Sequence, residues 1–174
     1  MLKIRKLTVK DRLSVYEILQ QDEILQPGEI NTTMALIDDY LFNKNDKRNT
    51  AIVAEDKSAK ILGYAGYGYD EQAIGTYNIY SIAISPVIES QKVEEELLFY
   101  IELDILKNRG RLIVVKTPSN EKYDSIRDIY LKHHFRLSTS IKDYYATGID
   151  QLIFIKNLNV ANALKNKNNL VNYT

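Results

Sequence analysis

Side chains that could act as nucleophiles or metal ligands are scarce in this sequence. Cys is absent, which excludes a thiol nucleophile, a disulfide framework and a thiolate metal site. The only two histidines, His133 and His134, are adjacent on a predicted helix, where neighbouring side chains point in different directions and do not form a metal site. We therefore expect no metal cofactor. Any chemistry must depend on Tyr, Asp and Glu side chains and on backbone groups.

Tyrosines are frequent, and five of them crowd two neighbouring predicted strands. Tyrosine packs well across strands, so sheet packing explains most of this group. Tyr80, near the end of the second strand, could instead line a substrate groove. The first strand also contains Gly63, Gly66 and Gly68, which predict a bulge or a close backbone contact rather than a phosphate loop. The five tyrosines are Tyr64, Tyr67, Tyr69, Tyr77 and Tyr80.

The composition is that of one globular domain. A chain of 174 residues is long enough for one full hydrophobic core. It has 23 basic and 23 acidic residues, so no global field favours nucleic acid or an anionic membrane, and we expect neither as a partner. No apolar run approaches the roughly 20 residues that span a bilayer, and the N-terminus lacks the apolar region of a signal peptide. We expect a cytoplasmic protein.

The hydrophobic periodicity predicts the order β-α-α-β-β-β-α-β-α-β-β. Thr8, with Asp11 three residues later, has the spacing of a capping box at the start of the first helix. Pro27-Gly28 indicates a loop, and Asn31 or Thr32 a cap for the second helix. Gly110 is a plausible stop for the third helix. Strands are expected near residues 2–7, 50–55, 61–69, 77–84, 112–115, 135–143 and 151–157, and helices near 8–21, 31–42, 90–109 and 120–133.

This order predicts an α/β (α+β) fold. Its mixed, mostly antiparallel and twisted sheet would have about six to seven strands, flanked by about four helices on both faces. The first 158 residues form the predicted domain. Residues 159–174 are rich in Asn and Lys and are expected to be a frayed tail or a marginal helix.

Three stretches together resemble the GNAT superfamily of acyl-CoA-dependent N-acyltransferases over residues 1–158. In the first, a strand ends at Pro86 and is followed, at the family's spacing, by a helix with the pair Leu97-Leu98. The second places Tyr130 shortly before a His134-Phe135 step, where the family has Gly-Phe. The third is the ending Asp143-Tyr144-Tyr145, a turn at Gly148 and an apolar last strand.

The resemblance implies an acetyl-CoA site beside the strand that ends at Pro86, where two strands splay apart. Backbone groups of Ile82, Ala83 and Ile84 would pair with the pantetheine and polarise the thioester carbonyl. The pyrophosphate would lie on exposed N–H groups at the start of the following helix. The acceptor would be a primary amine of a small molecule or a peptide, which attacks directly because no cysteine can carry the acyl group.

The same resemblance gives roles to individual side chains. Tyr130 would donate a proton to the departing CoA thiolate, although a core tyrosine would have the same spacing. Asp143 would orient the acceptor or, equally, make a turn, and Asp70 or Glu71 would accept the amine proton or simply be solvated. His134 stands at the helix-ending glycine position, so a left-handed conformation is expected there.

The sequence departs from the family in the loop that cradles the phosphates. In the register fixed by Pro86, Lys92 and Glu94 occupy the positions of glycines, and Glu94 brings a carboxylate into the cradle, which Gln91 and Lys92 would partly offset. The cofactor-loop prediction therefore comprises Gln91, Lys92, Val93 and Glu94. Two alternatives follow: a non-catalytic GNAT-like binding module with lost or altered CoA binding, and a structural partner protein. The latter could be a homodimer that associates through the tail and the final hairpin.

Overall fold

The computed structural model describes residues 2–43, 48–86 and 90–159, with only the backbone of Ser90 and Gln91. Within these ranges the chain forms seven strands and four α-helices, in the predicted order. The predicted tail lies outside the described residues except for Asn159. The strands are β1 Lys3–Lys6, β2 Asn49–Glu55, β3 Ile61–Tyr69, β4 Thr76–Ile84, β5 Leu112–Pro118, β6 Arg136–Ala146 and β7 Ile149–Asn157; the helices are α1 Arg12–Gln21, α2 Pro27–Phe42, α3 Ser90–Lys107 and α4 Asp124–Lys132.

All seven strands belong to one sheet, in the order β1-β2-β3-β4-β5-β7-β6. Only β4 and β5 pair in parallel, and every other pair is antiparallel. The parallel pair requires the long crossover that α3 supplies. The predicted mixed, mostly antiparallel sheet with four helices is confirmed.

The helices cover both faces of the sheet and give the fold three layers. Residues of α1 and α2, such as Leu19 and Ile37, pack on one face with Val53 of β2. The apolar stripe of α3 packs on the other face, together with Tyr130 of α4. None of the described helices is long and apolar enough to cross a membrane. The buried residues of the α3 stripe are Val93, Leu97, Leu98, Ile101 and Ile105.

The start of α2 differs from the prediction. Pro27-Gly28 is not a loop but the first turn of the helix, which Gln26 precedes in an extended conformation. The backbone N–H of Gln26 donates to the carboxylate of Glu29 at 2.8 Å. Proline suits this position because the first helical N–H has no partner within the helix, and its φ is already near the helical value.

Two helices end at a residue with a left-handed backbone conformation, and one of these residues differs from the prediction. After α3 it is Arg109, with φ of 61°, and not Gly110 that adopts this conformation. Gly110 is required for space, because a Cβ there would lie 2.1 Å from the side chain of Ile105. After α4, His134 has φ of 63°, as expected for a residue at the glycine position of the helix end.

A charged cluster fixes β1 against the start of α1. The guanidinium of Arg5 donates two hydrogen bonds to the carboxylate of Asp11, at 2.7 and 2.8 Å, and a third to Glu55 at 2.7 Å. The backbone N–H of Thr8 also donates to Asp11, at 2.8 Å, which completes the predicted link between these two residues. These bonds lower the pKa of Asp11 to about 2, with the Arg5 bond as the largest cause.

Candidate active site

Strands β4 and β5 pair over only four residues and then separate. Their register runs from Thr76 opposite Leu112 to Ile79 opposite Val115. Beyond Val115, β5 continues paired with β7 alone, while β4 continues paired with β3. The outer edge of β4 after Ile79 therefore has no strand partner among the described residues. Its N–H and C=O groups are available to a ligand that lies along the strand as an added strand would.

A β-bulge lies at the point of separation. Gly66 of β3 faces Ser81 and Tyr67 faces Ile79, so Tyr80 is an extra residue on β4. If Tyr80 were paired regularly, alternation would place Ile79 on one face with Ser81 and Ala83. With the bulge, Ile82 and Ile84 pack on the α3 side together with Ile79, and Ala83 packs on the α1 side. The bulge thus directs two isoleucines into the space between the separated strands and α3.

Gly63 of β3 makes room for the side chains at the end of β4. A Cβ at this position would lie 2.8 Å from Cδ1 of Ile84 and 2.9 Å from Cγ1 of Val93. Gly66 has a similar role, because a Cβ there would lie 2.4 Å from the hydroxyl of Tyr64. A bulge does lie beside Gly66, although its extra residue is on β4, and the closest contacts at Gly63 and Gly66 are with side chains rather than with backbone.

A cleft of about 670 Å³ lies beside the separated end of β4. Four parts of the chain form its walls: the end of α1 with the loop after it, the end of β4, the start of α3, and α4. The cleft therefore brings the predicted strand residues Ile82 and Ile84 together with Glu94 and Tyr130. Its lining includes Asp22, Glu23, Ile24, Ile82, Ile84, Ser85, Pro86, Glu94, Glu95, Ser125, Ile126, Asp128, Ile129, Tyr130, Lys132 and His133.

Tyr130 is at once a core residue and a cleft residue. Its ring packs against Phe135 and Phe154, with centroids 5.4 and 6.4 Å apart, and it is only 3% exposed. Burial raises the pKa of the Tyr130 phenol above its ordinary value, and the negative charge of Glu94 raises it further. The phenol therefore keeps its proton at neutral pH, which is what a proton donor requires.

The predicted phosphate loop is in large part the first turn of a helix. α3 begins at Ser90, so the backbone groups of Gln91, Lys92 and Val93 are already helical. The side chain of Lys92 is exposed and that of Val93 is buried in the core. Residue 89 and the side chain of Gln91 lie outside what the structure describes. Glu94, by contrast, lines the cleft.

Opposite α3, the loop after α1 and the start of α2 meet the segment before α4. The hydroxyl of Tyr123 lies 3.0 and 3.1 Å from the two carboxylate oxygens of Glu29. The pKa of Tyr123 is raised, first by burial, then by Glu29, and also by Tyr145 and Asp22, so these side chains are close together. The hydroxyl of Tyr145 accepts a hydrogen bond from Gln151 at 3.2 Å.

Two predicted substrate-binding residues lie away from the cleft lining. Tyr80 reaches across β3, where its hydroxyl occupies the space above Gly68. Asp143 has a left-handed φ of 53°, and its carboxylate accepts the N–H of Gly148 at 2.6 Å. Asp143 thus takes the turn-making alternative that the sequence allowed. Both side chains are used to shape the sheet and its last hairpin.

The proposed proton acceptors before β4 are also remote. Asp70 receives a bond from Asn78 at 3.4 Å, and Glu71 pairs with Arg48 at 3.2 Å. These residues precede Thr76, at the opposite end of β4 from the cleft. The structure therefore does not bring them to Tyr130.

His133 lines the cleft, which the sequence reasoning missed. Burial lowers the pKa of His133, and the positive charge of Lys156 lowers it further. Lys156 is itself buried and forms an ion pair with the buried carboxylate of Glu102, while its ammonium lies 5.6 Å from the centre of the Phe135 ring. The adjacency of His133 and His134 in the sequence did not predict that His133 lines the cleft, because its position depends on which face of α4 is turned toward α3. In the described part of the chain, no three His, Asp or Glu side chains are grouped to hold a metal ion.

Comparison with known proteins identifies the fold. No established family pattern matches the chain, and no curated protein matches it significantly in sequence. A candidate acetyltransferase of the GNAT family from Desulfovibrio desulfuricans is 25% identical, with a TM-score of 0.85 over 90% of this chain and 99% of that one. The ribosomal-protein-S18-alanine N-acetyltransferase of Escherichia coli is 16% identical, with a TM-score of 0.72 over 92% and 96%.

A third solved structure carries a ligand. A candidate acetyltransferase from Salmonella typhimurium, solved with its cofactor acetyl-CoA, is 15% identical, with a TM-score of 0.66 over 91% of this chain and 95% of that one. The similarity in all three covers at least 90% of this chain. The chain therefore has the GNAT acetyltransferase fold, as the resemblance of its sequence motifs predicts.

Proposed function

We propose that this protein is an acetyl-CoA-dependent N-acetyltransferase that acts on a primary amine of a small molecule or a peptide. Two facts support the proposal. The fold is one whose solved members include N-acetyltransferases, and a buried phenol lies in a cleft beside a strand edge that has no strand partner in the described part of the chain. Fold alone does not establish an activity, so the site must support the argument.

The residues around the cleft suit the acyl and pantetheine part of acetyl-CoA. The outer edge of Ile82–Ile84 offers backbone groups to an extended ligand, and Ile82 and Ile84 give an apolar floor. The start of α3, an 18-residue helix, would hold the pyrophosphate with its first N–H groups. Glu94 and Glu95 line the same cleft and oppose the phosphates, so we expect weak binding of the nucleotide half.

Acetyl-CoA, when bound, supplies an activated acetyl thioester. In the transfer, the bond from the amine nitrogen to the acetyl carbon forms and the carbon–sulfur bond breaks. The nitrogen loses one proton and the sulfur gains one. Tyr130 is the residue that would give the sulfur its proton, because its phenol is protonated at neutral pH and its buried ring is held by Phe135 and Phe154.

The observation that carries the proposal is the position of Tyr130, 97% buried and yet part of the cleft wall. The test is calorimetric titration with acetyl-CoA, followed by measurement of thiol release with an amine panel, for the wild type and Tyr130→Phe. We expect the variant to bind acetyl-CoA within twofold of wild type and to release thiol about 100-fold more slowly. Tyr144→Phe, at an exposed position on β6, is the matched control and should change neither quantity.

A second titration separates the two halves of the ligand. S-acetylpantetheine lacks the nucleotide, and we expect it to bind nearly as well as acetyl-CoA because the carboxylates oppose the phosphates. Absence of binding by both ligands at millimolar concentration would contradict the enzyme proposal. It would favour the alternative of a GNAT-like binding module, for which the carboxylates Glu94 and Glu95 in the cleft are the specific evidence.

A further inference from the structure

The cleft is strongly acidic, although the whole chain is balanced. Equal numbers of basic and acidic residues give the chain a formal net charge of zero. Among the described residues that line the cleft, Lys132 is the only Lys or Arg, and burial lowers the pKa of His133, which disfavours its charged form. Negative charge is thus concentrated where ligands would enter. The cleft-lining carboxylates are Asp22, Glu23, Glu94, Glu95 and Asp128.

Part of this charge lies opposite the presumed nucleotide position, on the loop between α1 and α2. Glu23 is exposed, and no hydrogen bond or ion pair of its side chain is found in the described part of the chain. Asp22 uses one carboxylate oxygen to accept the N–H of Ile24 at 2.9 Å. Behind them, Glu29 is held by the hydroxyl of Tyr123. A cation in the cleft would therefore meet two loop carboxylates, with a third anchored close by.

A second feature of the same cleft points to a ligand. Tyr130 is 3% exposed and lines the cleft, and no hydrogen bond of its hydroxyl is found among the described residues. The hydroxyl itself is not fully enclosed, so it can bond to a ligand or to water in the cleft. The acidic loop and the unpartnered phenol thus belong to one ligand-binding space.

We infer that the amine acceptor is a polycation, with at least one ammonium group besides the amine that reacts. This inference rests on the proposed function and specifies its substrate class. The reacting nitrogen must be neutral to attack, so it gains nothing from carboxylates, whereas a second ammonium is attracted to Asp22 and Glu23 and remains charged throughout. Amines that carry their own carboxylate, such as free amino acids, are repelled by the same residues.

The test is calorimetric titration of the full chain with spermidine and with butylamine, each with and without saturating CoA. Free CoA carries no acetyl group, so binding is measured without reaction. We expect spermidine to bind at least tenfold more tightly than butylamine and to lose most of this advantage between 50 and 300 mM NaCl. Glu23→Gln should weaken spermidine binding about threefold, and Asp22→Asn with Glu23→Gln about five- to tenfold. The Asn keeps the oxygen that accepts the N–H of Ile24, so the loop is preserved.

Glu17→Gln is the matched control. Glu17 is also an exposed glutamate, on α1 six residues before Glu23, but it does not line the cleft. It should leave spermidine affinity within about 1.5-fold of wild type. Equal affinities for spermidine and butylamine, or equal effects of the Glu17 and Glu23 substitutions, would overturn the inference.

The outcomes for the two proposals can be separated. If acetyl-CoA does not bind but spermidine binds and depends on Glu23, the acidic site stands and the acetyltransferase function fails. If acetyl-CoA is turned over with butylamine as efficiently as with spermidine, the function stands and the polycation inference fails.

Discussion

The hydroxyl of Tyr123 donates a hydrogen bond to the carboxylate of Glu29, a residue 94 positions away in the chain. The bond joins the start of α2 to the segment before α4, next to two walls of the cleft, namely the loop after α1 and α4 itself. Since both partners are partly buried, it links the elements beside these walls more firmly than an exposed contact would.

Replacing Tyr123 by Phe should therefore lower stability and loosen the acceptor side of the cleft. We expect a loss of about 1 kcal/mol in the free energy of unfolding, the usual net value of such a bond. Urea denaturation measures this. Tyr16→Phe is the control: its hydroxyl accepts a bond from Gln20 at an exposed position, and its loss should cost much less. Equal losses in the two variants would show that the bridge between the walls adds nothing.

Glu94 lines the same cleft as Tyr130 and affects the pKa of its phenol. Its negative charge raises the pKa of the phenol, after the larger effect of burial. Glu94→Gln should lower that pKa, so the alkaline limb of the pH–rate profile should move to lower pH, while acetyl-CoA binding should tighten because a charge that opposes the phosphates is removed. Glu96→Gln, on the same helix but outside the cleft lining, is the control. If the pH–rate profile of Glu94→Gln is unchanged, titration of Tyr130 is not the cause of the alkaline limb.

The Arg5–Asp11 pair makes a pH-dependent contribution to stability. The pKa of Asp11 is lowered from 3.8 to about 2, so the native state favours the ionised carboxylate. This stabilisation is fully present above pH 4 and is lost as the pH falls from about 4 to 2. Asp11→Asn should reduce the free energy of unfolding by about 1–2 kcal/mol at pH 7 and by much less at pH 2, as measured by urea denaturation at both pH values.

Asp38 provides the comparison for that experiment. It accepts two hydrogen bonds from Arg12, at 2.6 and 2.8 Å, but both side chains are about 40% exposed. Asp38→Asn should cost at most about 1 kcal/mol. If the two substitutions cost the same, burial of Asp11 does not strengthen its pairing.

Replacing one partner of the buried ion pair of Lys156 and Glu102 should destabilise the protein strongly, whereas replacing both partners should have a much smaller effect. Lys156→Met leaves the carboxylate of Glu102 buried without this ammonium, and we expect a loss of about 3–5 kcal/mol. Combining it with Glu102→Leu should restore stability to within about 1–2 kcal/mol of wild type. Chemical denaturation compares the three proteins.

The same double variant has a second readout. Because Lys156 lowers the pKa of His133, its removal should raise that pKa, although burial keeps it below the ordinary value. NMR titration of the imidazole protons measures the change. If the pKa of His133 is the same in the double variant as in the wild type, the charge of Lys156 has no effect on this cleft residue.

Much of the fold was predictable because local patterns and global packing agree. The capping link of Thr8 and Asp11, the α3 stripe and the turn at Gly148 all have sequence signals, and each formed where expected. The start of α2 was missed because Pro27-Gly28 is typical of loops, while proline is equally at home in the first helical turn. The sequence of Pro27-Gly28 alone does not distinguish a loop from a first helical turn, because the choice depends on how the following helix packs.

The site was less predictable because it depends on distances across the chain. Tyr130 was predicted from its spacing to Phe135, which is a local signal. The link between Tyr123 and Glu29 and the buried Lys156 have no local signal, since their partners lie on other elements. Asp143 was placed near the substrate by its motif and Tyr80 by its place in the tyrosine cluster. The side chain of Tyr80 lies above Gly68, and that of Asp143 bonds to Gly148.

The extra residue at Tyr80 explains why one strand can serve two purposes. Before Tyr80, the odd-numbered Ile79 packs in the core on the α3 side of the sheet. After Tyr80, the odd-numbered Ala83 packs on the α1 side, and the even-numbered Ile82 and Ile84 pack on the α3 side. If Tyr80 instead paired regularly with β3, the two sets would be interchanged, so that the methyl group of Ala83 would face the cleft and the isoleucines would press into the α1 layer. The position of one unpaired residue in the ladder therefore decides which side chains of β4 form the cleft.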